Sequence, residues 1–202
     1  MLFRSSLEDH KALIRQVLAR LERHDLAISL KKSVFHVDTV EFVAYIVGKN
    51  GVTMRKKKVE SHLSGKALRL VKDVQIFIGF ANLYPTFIKN FSKVCKPIRD
   101  MLKTKRDKKL WSWGPEQDKA FPELKQRFTS APILASFYPD RKTVIETDGS
   151  DFALGCILSH YLGKRLHPVA FHSRILNDEE RNYEIHDKKL LAILEAFWEW
   201  KY

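Results

Sequence analysis

Cysteine is nearly absent from this 202-residue chain: Cys95 and Cys156 stand far apart, and no Cys-x-x-Cys pair occurs. That excludes a disulfide framework or a structural zinc as the organising device and points to a reducing compartment, cytoplasmic or nuclear. The eight histidines lack ligand spacing, and His167 and His172, flanking a strand-like run, read as strand-edge residues. No stretch approaches the ~18–20 consecutive apolar residues of a membrane span, so no membrane partner is expected. The start, Met1 to His10, is polar and charged, and no secretory signal of the usual pattern is expected there. A hydrophobic fraction of 45% excludes global disorder, and the length allows one large domain or two small ones.

What is abundant is positive charge, unevenly placed. Residues 1–110 hold 24 basic and 10 acidic side chains, a net of +14, whereas residues 111–202 hold 12 and 14, a net of −2. A basic half joined to a near-neutral half points to a polyanionic partner for the first, nucleic acid being the leading class; a solvated basic surface is the alternative.

Periodicity then divides the chain. Leu7, Leu13, Ile14, Val17, Leu18 and Leu21 predict an amphipathic helix from Leu7 to His24, with Ser6 as its N-cap. Val34–Val37, Val40–Val47 and Val52, with an Asn50-Gly51 turn, predict two or three short antiparallel strands. Arg55-Lys56-Lys57-Lys58 follows as a run of four cations. A helical pattern between Val71 and Phe91 is interrupted by Pro85, and a second helix is expected after it. Lys103–Lys109 reads as a basic linker. Pro115 suits the first turn of a helix over Glu116–Phe128, inside which Pro122 would cost about 3 kcal/mol or kink it. Thr143–Asp148, Phe152–Ser159 and His167–Ser173 read as strands, and Glu179–Trp200 as one long amphipathic helix carrying Leu190, Leu191, Ile193, Leu194, Phe197 and Trp198.

One carboxylate stands where chemistry would need it. Asp148 ends a predicted strand and precedes Gly149-Ser150, so it could project toward a metal ion; two-metal nucleases need several such carboxylates converging on ions about 4 Å apart. A single Asp in this position is equally a turn-former.

The run Val144-Ile145-Glu146-Thr147-Asp148-Gly149-Ser150 with Phe152-Ala153-Leu154-Gly155-Cys156-Ile157-Leu158-Ser159 resembles the first hairpin of the RNase H domain in gypsy-type long-terminal-repeat retrotransposons. His167–Arg174 and Glu180-Arg181-Asn182-Tyr183 continue the resemblance in order. Upstream, Phe77–Tyr84, Phe87–Ser92, Trp113–Gln117 and Ser130–Leu134 resemble the thumb and connection of the same Pol polyproteins, and Glu41–Val47 the hairpin that grips the primer strand. The match is collinear over essentially the whole chain.

The resemblance implies an α+β fold: a reverse-transcriptase palm remnant with the primer-grip-like hairpin (1–54), a helical thumb/connection-like segment (55–131), and a truncated RNase H-like α/β unit (132–202). The family's activities are RNA-directed DNA synthesis and hydrolysis of the RNA strand in RNA–DNA hybrids, with Mg²⁺ as cofactor. Asp148 matches the first catalytic Asp and would be the Mg²⁺ ligand. The family's catalytic Glu falls, counting from Tyr183, on Lys189, where a cation repels Mg²⁺. Asp187 lies about 200° around a helix from that position, and neither Glu184 nor Glu195 is placed to replace it. The polymerase's paired aspartates are expected to precede the segment matching Phe3–His10, and no Asp-Asp pair occurs in the sequence. The remaining RNase H carboxylates are expected beyond Tyr202. Ala44 for a customary Gly, Arg55-Lys56 for a customary Asp-Pro, Pro85 and Pro122 are further departures.

The expectation is therefore a retrotransposon reverse transcriptase/RNase H fragment without catalysis or cofactor of its own. The alternative is a salt-sensitive nucleic-acid-binding protein derived from the element. Its contact candidates are Lys31, Lys32, Phe42, Tyr45, Arg55, Lys56, Lys57 and Lys58, each of which could equally be a solvated cation or a core aromatic. RNA–DNA hybrid or primer-template and other Pol segments are the implied partners.

Overall fold

The computed structural model describes residues 6–63, 68, 70–103 and 112–201. The basic linker expected at Lys103–Lys109 falls outside them except for Lys103. The chain divides into two compact units, Met1–Val40 and Glu41–Tyr202.

In the first unit, α1 (Leu7–Arg23) forms where the periodicity predicts it, and the Ser6 hydroxyl accepts from Asp9 N at 3.1 Å. Glu8 and Asp9 open the helix and Arg20 and Arg23 close it, both favourable to the helix dipole. None of its residues is buried. A 3₁₀ turn over Leu30–Lys32 follows. Val34–Val37, expected as a strand, is irregular and exposed, with His36 left-handed at φ 55°. β-branched residues favour extension only where a neighbouring strand pairs with them.

β1 (Thr39–Phe42) leads into the second unit, where a sheet has the order β1-β2-β3. β2 (Tyr45–Gly48) and β3 (Gly51–Met54) pair antiparallel around Lys49-Asn50, with Gly48 opposite Gly51. Gly51 has φ +120°, and a Cβ there would collide with the carbonyl of Leu134, so glycine is required twice over. That close approach lets Val52 exchange backbone hydrogen bonds with Leu134, at 2.8 and 2.9 Å.

Helices α2 (Lys56–Leu63), α3 (Val71–Ala81), α4 (Phe91–Asp100) and α5 (Pro115–Thr129) surround an aromatic core built on Phe77, Phe80, Tyr84, Phe87, Leu124 and Phe128. The Tyr84 hydroxyl donates to Ala44 O at 2.9 Å, and burial raises its pKa. Pro85 does not break a helix. α3 has already ended at Ala81, and Pro85 opens a separate 3₁₀ turn over Pro85–Phe87. Pro122 does lie inside α5, as Pro97, unmarked in the sequence reading, lies inside α4.

The second sheet is an antiparallel meander of β4 (Thr143–Gly149), β5 (Ala153–Leu162) and β6 (Arg165–Ile175). The expected terminal helix is two helices, α6 (Asp178–Arg181) and α7 (Ile185–Glu199). The separation has a local cause. Asn177 and Glu180 cap α6 reciprocally, and Arg174 of β6 grips Glu180 through two hydrogen bonds of 2.7 and 2.9 Å, docking that first turn by itself.

Contacts cross both expected segment boundaries, 54/55 and 131/132. Arg55 N donates to Ala44 O across the first, and Val52 and Leu134 exchange backbone hydrogen bonds across both. Ser92 of α4 binds Ser173 of β6 through both its backbone N–H and its hydroxyl, at 2.9 and 2.6 Å.

Candidate functional site

β4 places its last side chains by strict register: Asp148 opposite Gly155, Gly149 opposite Leu154. Asp148 is exposed at the strand end, and its side chain has no hydrogen bond or ion pair among the described residues. The β4–β5 turn beyond it is closed by two hydrogen bonds. Ser150 N–H donates to Ala153 O at 3.0 Å, and the Ser150 hydroxyl donates to the same oxygen at 2.9 Å.

α7 lies against this strand end on a face of small and polar residues: Lys188, Ala192 and Ala196 are buried at four-residue spacing. At Gly149 the backbones nearly touch. A Cβ there would lie 2.9 Å from Lys188 O and 3.3 Å from Lys189 N. The strand end bearing Asp148 and the helix turn bearing Lys189 therefore abut. Lys189 is exposed.

The acidic residues weighed as substitutes are engaged elsewhere or exposed. Glu195 accepts from Arg174 at 2.8 Å and stands 3.2 Å from His172 Nε2, while Glu184 pairs with His186 at 2.7 Å. Asp187 is exposed. Lys188, not among the residues expected to matter, is buried, and its ammonium lies 3.3 Å from Asp151. Its signal was the Lys188-Ala192-Ala196 spacing, hidden by the more conspicuous apolar stripe on the opposite side of the helix.

These donors do not fit a divalent cation. Asp148 is one carboxylate, the neighbouring helix turn presents two lysines, and no group of three His, Cys, Asp or Glu is placed to hold a metal among the described residues.

The basic candidates fall in both units. Lys31 and Lys32 are exposed on the 3₁₀ turn of the first unit. In the second, Arg55 is tied to Glu41 at 2.8 Å, Lys56 and Lys57 are exposed, and Lys58 is half-buried. Lys56–Lys58 occupy the first turn of α2, which contains no acid. Phe42 is 53% exposed. Tyr45 is built into the core: it stacks on Phe87 at 5.6 Å, and its hydroxyl donates to Leu83 O at 2.8 Å.

Residues 113–202 match the profile of the RNase H-like domain found in reverse transcriptase. Over 198 residues the chain is 30% identical to the Tf2-3 and Tf2-4 transposon polyproteins of Schizosaccharomyces pombe, covering 98% of this chain and 15% of each relative. Among solved structures, a foamy viral protease–reverse transcriptase in complex with double-stranded DNA superposes with a TM-score of 0.75 at 19% identity, covering 98% of this chain and 34% of that one. The foamy viral enzyme in complex with an RNA/DNA hybrid gives 0.75 at 18% identity, covering 98% and 27%. Fold and sequence agree in what this chain is similar to: its residues 113–202 match the RNase H-like domain found in reverse transcriptase, and the chain as a whole is similar to a stretch of retrotransposon polyproteins about 15% of their length.

Proposed function

We propose that this chain binds nucleic acid through phosphate contacts and does not itself hydrolyse the RNA strand of a hybrid. The observation that carries the second half is the approach at Gly149, which brings the Lys189 turn of α7 against the strand end bearing Asp148. An ammonium on that turn repels a divalent cation and suits a backbone phosphate.

Three features support the binding half. The net charge is +12. Lys56, Lys57 and Lys58 sit at the positive end of the α2 dipole with no acid in that first turn, an arrangement that an anionic partner relieves. Solved relatives of the same fold carry double-stranded DNA or an RNA/DNA hybrid. The partner proposed is accordingly a hybrid or primer-template duplex read through its backbone. The buried, unpaired thiols of Cys95 and Cys156, each pushed up to about 11 chiefly by burial, suit an intracellular reducing compartment.

Anisotropy titration of a labelled RNA–DNA hybrid from about 50 to 200 mM salt tests this reading. Affinity should fall steeply and log-linearly with salt, and Lys56→Glu with Lys57→Glu should weaken binding and flatten that slope. A salt-independent affinity, or none at the lowest salt, rejects the reading.

A further inference from the structure

A groove of about 630 Å³ runs between α4 and the start of α5 and is bounded at one side by Phe152, in the turn between β4 and β5. Its size falls within the range of small-ligand sites, about 300–1,000 Å³. Phe152 is pinned in its backbone and free in its ring. Its carbonyl accepts from Leu176 N at 2.9 Å, and the residue before it, Asp151, is held by Lys188. Its side chain is nevertheless 59% exposed. An exposed aromatic ring on an anchored backbone offers a face on which a base can stack.

The rest of the lining complements it. Pro97 and Met101 supply apolar surface. Lys96 is tied to Asp100, which also pairs with Lys103 at 2.8 Å, so that carboxylate is matched by two lysines. Lys93 is exposed and has no ion pair among the described residues, leaving its ammonium available. Glu116 on the α5 rim keeps a bound anion on the Lys93 side. An aromatic face, an apolar floor and one available cation describe a nucleotide better than a hydrophobic ligand or a polyanion.

We infer that this groove holds one unpaired nucleotide of a nucleic-acid strand, its base stacked on Phe152 and its phosphate against Lys93. The inference rests on the nucleic-acid reading above and gives it a second contact, on the side of the β4–β5 turn away from α7. A base held in a duplex cannot stack here, so the site discriminates single-stranded ends or gaps from blunt duplex.

The test uses the full chain, a short single-stranded DNA carrying one 2-aminopurine, and a blunt duplex of the same length. The parent should quench 2-aminopurine on binding. Phe152→Ala should abolish the quench and weaken single-strand binding about tenfold while leaving the duplex unchanged, and Phe152→Trp should restore both. Lys93→Gln, on an exposed helix position, should weaken single-strand binding independently. Unchanged quench and affinity in Phe152→Ala and Lys93→Gln would overturn the groove assignment while the parent's binding still upheld the broader reading. A parent that bound neither DNA would overturn both.

Discussion

Around Tyr84 and Phe87 the second unit is held by a continuous aromatic and aliphatic core, whereas under α7 the buried hydrophobic cluster among the described residues is Leu154, Leu176 and Ala192. α7 touches its sheet through alanines, Lys188 and a set of ion pairs, while Leu190, Phe197 and Trp198 face solvent at 56%, 61% and 61% exposure. The same unit is thus stabilised in two ways: one half by apolar volume, the other by close backbone approach and charge. Exposed apolar surface of that extent is also an association liability.

The difference can be broken most sharply by cavity formation. Leu124→Ala, at a position fully buried in the aromatic core, should cost about 3 kcal/mol in urea melts. Leu194→Ala, 43% exposed on α7, should cost less than about 0.5 kcal/mol. Equal costs would mean that α7 is not docked as described.

Charge should matter on the other side. Arg174 bridges Glu180 and Glu195, and Arg174→Ala leaves both carboxylates without it; with Arg174 30% exposed the expected loss is about 2 kcal/mol. Hydrogen bonds from Arg174 hold the Glu180 carboxyl below its ordinary value of 4.5 despite its burial. A depressed acid contributes stability above its unfolded pKa and loses it as pH falls through the folded one. The melting temperature should therefore drop as pH falls below about 4.5, and the Arg174→Ala protein should lack that component of the drop. Identical acid profiles in the two proteins would remove the ion pair from the account.

A smaller effect of opposite sign is expected at the hairpin. Val43, β-branched and 77% exposed, is held at φ 56°, a conformation that costs such a residue roughly 1–2 kcal/mol. Val43→Gly should raise stability by about 1 kcal/mol, part of the relief being lost to unfolded-state entropy.

Much of this was legible in the sequence because period and punctuation are local. Ser6 with the Leu7–Leu21 stripe marked α1, Pro115 marked the start of α5, and the three β-rich runs after Lys142 marked the meander, each shorter than found. What failed depends on partners. Val34–Val37 has strand composition but no neighbouring strand, and Pro85 breaks nothing because α3 stops before it. The α7 stripe revealed an apolar face but not which face packs, and the sheet took the alanine-and-lysine side because Gly149 lets the backbones meet. Tyr45 carried no local sign that its hydroxyl would be satisfied by Leu83. At the candidate site, counting from Tyr183 singled out Lys189 beside Asp148, while Lys188 stayed unseen, since a buried lysine is recognisable only once Asp151 is found within its reach.

The most direct test of the account is hydrolysis of a labelled RNA–DNA hybrid by the purified chain, in Mg²⁺ and then in Mn²⁺, beside Asp148→Asn. No cleavage above the protein-free control is expected from either protein. Cleavage by the parent that Asp148→Asn abolishes would contradict it, and would mean that a metal site assembles at this strand end despite Lys189.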